Sequence, residues 1–428
     1  MGDSLGSAIT GIDANQALLD NIGNNIANVN TVGYQSTDLQ FSDLLYQQQT
    51  SAGAPQAGVG GGTNPVVVGS GVRVSASPTN FSQGTLQETG VSTDVAIQGQ
   101  GFLIANQGGQ SYYTRAGNLQ LDANGNLVTP TGAIIQGWAP ATPGGTIATN
   151  GALSAITIPQ GQQSGANPTS TITMGGNLPP AITGSTTQSY TATVSVYDSL
   201  GNSIPVTFTY TPDATTANTY DVTATTPSNT SGTLITLLNN VKVGFSNTGQ
   251  VSTVNGSTTQ LTSKFSPSAT NFPPPFVGFS TTSPPTVDFS ALTQLAGNSS
   301  VAVTNQNGYA SGSLQKFTIN SDGTIQGNYS NGQTQTIGQI ALASFANEQG
   351  LTKVGNLLYS TSANSGLPQV GTAGSGGRGA LVGGSVEGSN VNLGDQLTEL
   401  IIAQNAYQAN TKVVSTSSTV LQSLVQMA

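Results

Sequence analysis

All 20 prolines of this 428-residue chain fall between Pro55 and Pro368, so residues 1–54 and 369–428 are the stretches where a long helix meets no interruption. Both ends carry a seven-residue apolar repeat. At the start, Leu5, Ile12, Leu19 and Ile26 recur every seven positions, and Ala8, Asn15, Ile22 and Val29 follow each of them by three. That is the spacing of an a/d seam. The helix is expected to stop at Asn28-Val29-Asn30-Thr31-Val32-Gly33, where asparagine side chains compete for backbone hydrogen bonds and Gly33 is free to take a positive φ. At the other end Leu393, Leu400, Tyr407, Val414 and Leu421 repeat at seven, flanked by Leu397, Ile401, Leu424 and Val425. Asn392 is placed to cap that helix, with Asp395 at its N3 position. Its interior run Ser415-Thr416-Ser417-Ser418-Thr419 has poor helix propensity, so the helix needs a partner to hold it.

A lone helix with one apolar stripe cannot bury that stripe by itself. The economical arrangement pairs the first helix with the last and covers the remaining apolar surface with the same elements of neighbouring copies. Polar Asn15, Gln404 and Asn410 beside the seam would fix its register. Between the ends, alternating stretches such as Tyr190 to Tyr197 and Val206 to Tyr210 read as strands, with turns at Asn124-Gly125, Gly201-Asn202 and Asp322-Gly323. Gly/Ser/Pro-rich connectors appear at Gly53 to Thr63, Pro140 to Gly145, Pro267 to Pro285 and Gly371 to Gly384. The fold class is therefore mainly β with α-helical termini, the N- and C-terminal helices paired around a β body; the family resemblance given below implies two β domains in that body, the middle one discontinuous and the outer one inserted. The expected boundaries are 1–30 and 392–428 for the helical assembly domain, and 31–72 and 370–391 for an extended connector. The middle β domain is expected at 73–144 and 289–369, and the outer β domain at 145–288.

Composition narrows the chemistry. Only 6% of residues are charged, against about 25% in an ordinary soluble protein. The eight basic residues are scattered and the net charge is -9, which argues against a nucleic-acid or anionic-lipid partner. Cysteine and histidine are both absent, so zinc fingers, Cys or Ser-His triads and disulfides are out of reach. The Asp122-Ala123-Asn124-Gly125-Asn126 run resembles the start of a calcium loop, but its glycine comes one place early and Ala133 stands where the closing glutamate belongs. Neither glycine-rich run, Gly58 to Gly62 or Gly374 to Gly379, has the frame of a phosphate loop. No catalytic, cofactor or metal residues are assigned. The start of the chain shows no basic n-region and no unbroken apolar h-region, so no cleavable secretory signal is expected.

The run Leu18-Leu19-Asp20-Asn21-Ile22-Gly23-Asn24-Asn25-Ile26-Ala27-Asn28-Val29-Asn30-Thr31-Val32-Gly33-Tyr34 resembles the N-terminal signature of the bacterial flagellar rod and hook axial proteins. The likeness continues through Thr93 to Phe102 and Tyr113-Thr114-Arg115-Ala116-Gly117-Asn118, and closes with Ser389 to Leu393. Within that family, Val196 to Gly201 and Leu342 to Leu351 are similar to hook subunits rather than rod subunits. The resemblance implies a homopolymer: a short curved tube joining rod to filament, a universal joint that bends while it transmits torque. It also implies as partners the distal rod protein, a cap during assembly, the hook–filament junction protein and the flagellar type III export apparatus. The location implied is the extracellular part of the flagellum. Asn24, Asn25, Ala27, Asn28, Asn30 and Gly33 are the signature positions. The self-assembly seam is expected at Leu5, Ile12, Leu19, Ile22, Ile26, Leu393, Leu400, Tyr407, Val414 and Leu421. A distal rod protein with an unusual insertion and a secreted β-rich adhesin are the two other readings.

Overall fold

The computed structural model describes residues 2–54, 61–142, 144–161, 163–181, 188–227, 234–266 and 284–427. The Gly58 to Gly62 run and the Pro267 to Pro285 connector fall largely outside them. The chain is mainly β, with helix α1 at Gly2–Ala27 and helix α2 at Leu393–Met427. It forms two compact units. The first comprises residues 1–159, 317–327 and 335–428, and the second residues 160–316 and 328–334.

In the second unit an antiparallel meander runs through Tyr190–Tyr197, Ser203–Pro212, Thr219–Pro227, Leu234–Phe245 and Val251–Val254. Along Ser203–Pro212 every second side chain is buried, from Ile204 through Val206, Phe208 and Tyr210 to Pro212, as a half-buried strand requires. A second, four-stranded sheet sets Thr171–Leu178 between Thr286–Gln294, which runs parallel to it, and Ala302–Gln306. Ile172, Met174 and Phe289 from this sheet join Phe208, Tyr210 and Val222 from the meander in one core. The unit is thus a two-sheet sandwich.

The first unit builds its β part around Phe102–Gln107, which pairs with Gln110–Thr114, Ile134–Trp138 and Thr334–Ser344. Phe102, Tyr113, Phe345, Tyr359 and Phe81 meet edge to face beneath it, with ring centroids 4.8–5.9 Å apart. Trp138, the single tryptophan, is buried in the same cluster and donates its indole N–H to the Gly151 carbonyl at 3.1 Å. Asp122 spends its carboxylate on the turn, accepting the amides of Asn124 and Asn126 at 2.8 Å each.

Four expected segments change. Residues 145–159 belong to the first unit because Ser154–Ala155 pairs with Ile134–Trp138. Residues 289–316 join the second because Thr286–Gln294 and Ala302–Gln306 flank Thr171–Leu178. Residues 370–391 are no plain connector either: Ala380–Gly383 pairs with Val95–Gln98, and Ser385–Glu387 with Leu86–Glu88. Much of 31–72 is a two-stranded ribbon, in which Gln40–Asp43 pairs with Val72–Ala76 and Tyr46–Thr50 with Val66–Gly69. Connector composition marks the turns in these segments and hides their short strands.

Candidate functional site

α1 and α2 lie side by side and antiparallel. Asn25 Nδ2 donates to Gln396 Oε1 at 3.0 Å, and Gly11 packs so close to Asn410 that a methyl group there would come within 2.8 Å of its amide nitrogen. Fourteen residues, or two heptads, separate those contacts on each helix, so one register holds along the pair. At that register Gly2 falls opposite Thr419, and residues 420–427 run on past the start of α1. Asn392 caps α2 by accepting the Gly394 amide at 3.0 Å, and its side-chain amide donates to Asp395 at 2.8 Å. The weak Ser/Thr run is accommodated by hydroxyls that bond back one turn, Thr416 to Lys412 O and Thr419 to Ser415 O.

The facing rows are narrower and smaller than the periodicity suggests. On α1 the buried positions are Ala8, Gly11, Ala14, Ile22 and Asn25, whereas Leu5, Ile12, Leu19 and Ile26 are half-buried at the flank. On α2, Gln396 and Ala403 are buried, and Leu400, Tyr407, Asn410 and Val414 are half-buried. Leu393 and Leu421 are exposed within the single chain. The residues that sequence reasoning missed are Gly11, Gln396 and Ala403. They carry a legible signal, since Ala403, Asn410 and Ser417 follow Leu400, Tyr407 and Val414 by three, but small and polar residues do not register as a seam.

The opposite face of α2 is uncovered. Ile401 and Ile402 are 58% and 61% exposed, and Leu397, Val413 and Val425 are exposed beside and beyond them. A groove of about 550 Å³ opens toward the ends of the helices, lined by Ser4, Ala409, Lys412, Val413, Ser417 and Val420.

Below the helix pair, Asn25 uses its entire hydrogen-bonding capacity. It donates to Thr37 O at 2.9 Å as well as to Gln396, and accepts from the Tyr34 hydroxyl at 3.0 Å and the Thr37 amide at 3.1 Å. Burial raises the Tyr34 pKa, which keeps that hydroxyl a donor. Asn28 donates to the Asn24 carbonyl and its side-chain oxygen and accepts from Thr31, which closes the helix end. Gly33 has φ +71, and a Cβ there would stand 2.6 Å from the Ala116 backbone, so both conformation and space demand glycine. Ala27 and Asn30 are exposed.

Comparison with known proteins bears on this arrangement. Residues 5–35 match the flagella basal body rod protein family, and 96–177 the flagellar hook protein FlgE/F/G D1 domain. Residues 170–309 match the flagellar basal body protein FlaE D2 domain, and 382–427 the flagellar basal body rod FlgEFG protein C-terminal family. The chain is 36% identical to the flagellar hook protein FlgE of Treponema pallidum over 99% of both chains. It is 34% identical to that of Salmonella typhimurium over 99% of this chain and 100% of the other. The flagellar basal-body rod protein FlgG of Bacillus subtilis aligns over 99% of this chain and 98% of its own at 27% identity. On full-length identity above 30%, in a mainly β chain bracketed by two helices, this protein belongs to the flagellar hook protein family and is a hook subunit.

Proposed function

We propose that the chain polymerises through the uncovered face of its helix pair and that the tube so formed bends while transmitting torque. It works as a structural subunit, without catalysis. Its place is between the distal rod protein and the hook–filament junction protein, outside the cell, under a cap during growth and after delivery by the flagellar export apparatus. The observation that carries this is Ile401 and Ile402, with Leu397 beside them, large apolar side chains exposed on the face of α2 turned away from α1. A head-to-tail contact of this kind, repeated with a rotation that does not close, yields an open helical polymer.

Placing aspartate at both Ile401 and Ile402 tests it. Because both side chains are exposed in the single chain, the helix pair and the β units should keep their stability to within about 0.5 kcal/mol. Tube formation, followed by electron microscopy, should be lost. Normal tubes from the double variant would remove this face from the interface. A straight, rigid tube from the native chain would overturn the bending proposed here.

A further inference from the structure

Five consecutive residues, 33–37, are held from two sides at once. From the helix pair, Asn25 binds Tyr34 and both backbone groups of Thr37, while Asn21 Nδ2 donates to Thr37 O at 2.5 Å. From the β part, the Gly33 amide donates to Glu387 O at 2.7 Å and Gln35 Nε2 to Glu387 Oε1 at 3.3 Å. Lys353 Nζ donates to Gln35 O at 2.9 Å and Thr37 Oγ1 at 2.7 Å, and it lies 5.2 Å from the centre of the Tyr34 ring. Asn390 closes the arrangement. Its amide nitrogen reaches Gln35 Oε1 at 2.8 Å, Asn80 O at 2.7 Å and Ser82 O at 3.0 Å, and its oxygen accepts the Ser36 amide at 2.8 Å.

Beneath the strap, Arg115 and Glu387 face each other at 3.5 Å, 1% and 0% exposed. Among the described residues, Arg115 Nε and Glu387 Oε2 have no hydrogen-bond partner. A buried ion pair with unmet atoms returns little net stability. What it supplies is a single permitted position, because a strap shifted by one residue would take Gln35 and the Gly33 amide away from Glu387.

We propose that residues 33–37 form the torsion-bearing coupling between the helix pair and the β part of the first unit, with Asn25 and Asn390 as its positioning residues. The proposal rests on the torque-carrying reading above and names where in the subunit twist passes from one part to the other. Side-chain amides suit the task, since each donates and accepts at once and so ties segments whose backbones cannot pair directly. Aspartate at either position is the sharper probe. Aspartate at 25 keeps the acceptor for Tyr34 and the Thr37 amide but sets its other oxygen against Thr37 O in a buried site. Aspartate at 390 sets a carboxylate against the Asn80 and Ser82 carbonyl oxygens.

The test uses full-length Asn25→Ala, Asn25→Asp, Asn390→Ala and Asn390→Asp chains. Amide exchange at Thr37 and Gln396 should quicken about tenfold in Asn25→Ala, the loss of roughly one to two net hydrogen bonds, while exchange in Phe102–Gln107 is unchanged. Asn25→Asp should be no better than Asn25→Ala, and Asn390→Asp should be worse than Asn390→Ala. Hooks built from either alanine variant should twist several-fold more easily at normal length. Unchanged twist stiffness overturns the proposal, and so does equal loss of protection in Phe102–Gln107, which would make these ordinary core residues. If the native chain forms no tube, the polymerisation proposal fails by itself, and the exchange pattern still decides whether the strap joins the two parts.

Discussion

Ile22→Asp is expected to separate the terminal helices and abolish assembly. Ile22 is 1% exposed on the row of α1 that faces α2. Removing it forfeits about 1.5–3 kcal/mol of burial, and the carboxylate left in its place has no partner, so the loss should reach about 4 kcal/mol or more. Helix signal in circular dichroism should fall and tubes should be absent. The second unit should melt as before, because its core shares no residue with the helix pair. Leu19→Asp should be much milder, about 1–2 kcal/mol, since Leu19 is half-buried and its substitute can reach water. Tubes of normal form from Ile22→Asp would show that pairing of α1 with α2 is not what assembly depends on.

Gly33→Ala should strongly destabilise the first unit. A left-handed backbone costs an alanine about 1–2 kcal/mol, and the atoms 2.6 Å away are Ala116 main chain, which cannot rotate aside. Some 3 kcal/mol in total corresponds to a fall of roughly 6–12 °C in the melting midpoint of a body this size. Calorimetry should show that fall in the first unit alone. A comparable fall in both units, or none in either, would mean that the close approach of residues 33 and 116 does not limit the stability of this unit.

The helical ends and the alternating strands were legible because each has a period that side-chain burial must obey. Pro-free termini at 1–54 and 369–428 and the every-second-residue pattern of Ser203–Pro212 are direct consequences of backbone geometry. The inner face of the helix pair was only half legible. Leu400, Tyr407 and Val414 mark one row, but the row beside it is Gln396, Ala403 and Asn410, where close approach is bought with small and polar side chains. The short strands at 380–387 were missed since three or four residues among glycines carry no period. The strap was invisible for a different reason. Asn25, Gln35, Glu387 and Asn390 are remote in sequence, and nothing in a single chain says which amide will meet which.

The Asn25–Gln396 contact joins residues 371 positions apart, whereas the last strand of the molecule closes at Glu387. Sequence order therefore also acts as a clock. A chain cut or held back before residue 392 contains every described strand of both units but has no α2, so Asn25 has no Gln396 amide to meet and the exposed Ile401 and Ile402 are missing. On the assembly proposed above, such a copy would lack the surface through which it joins others.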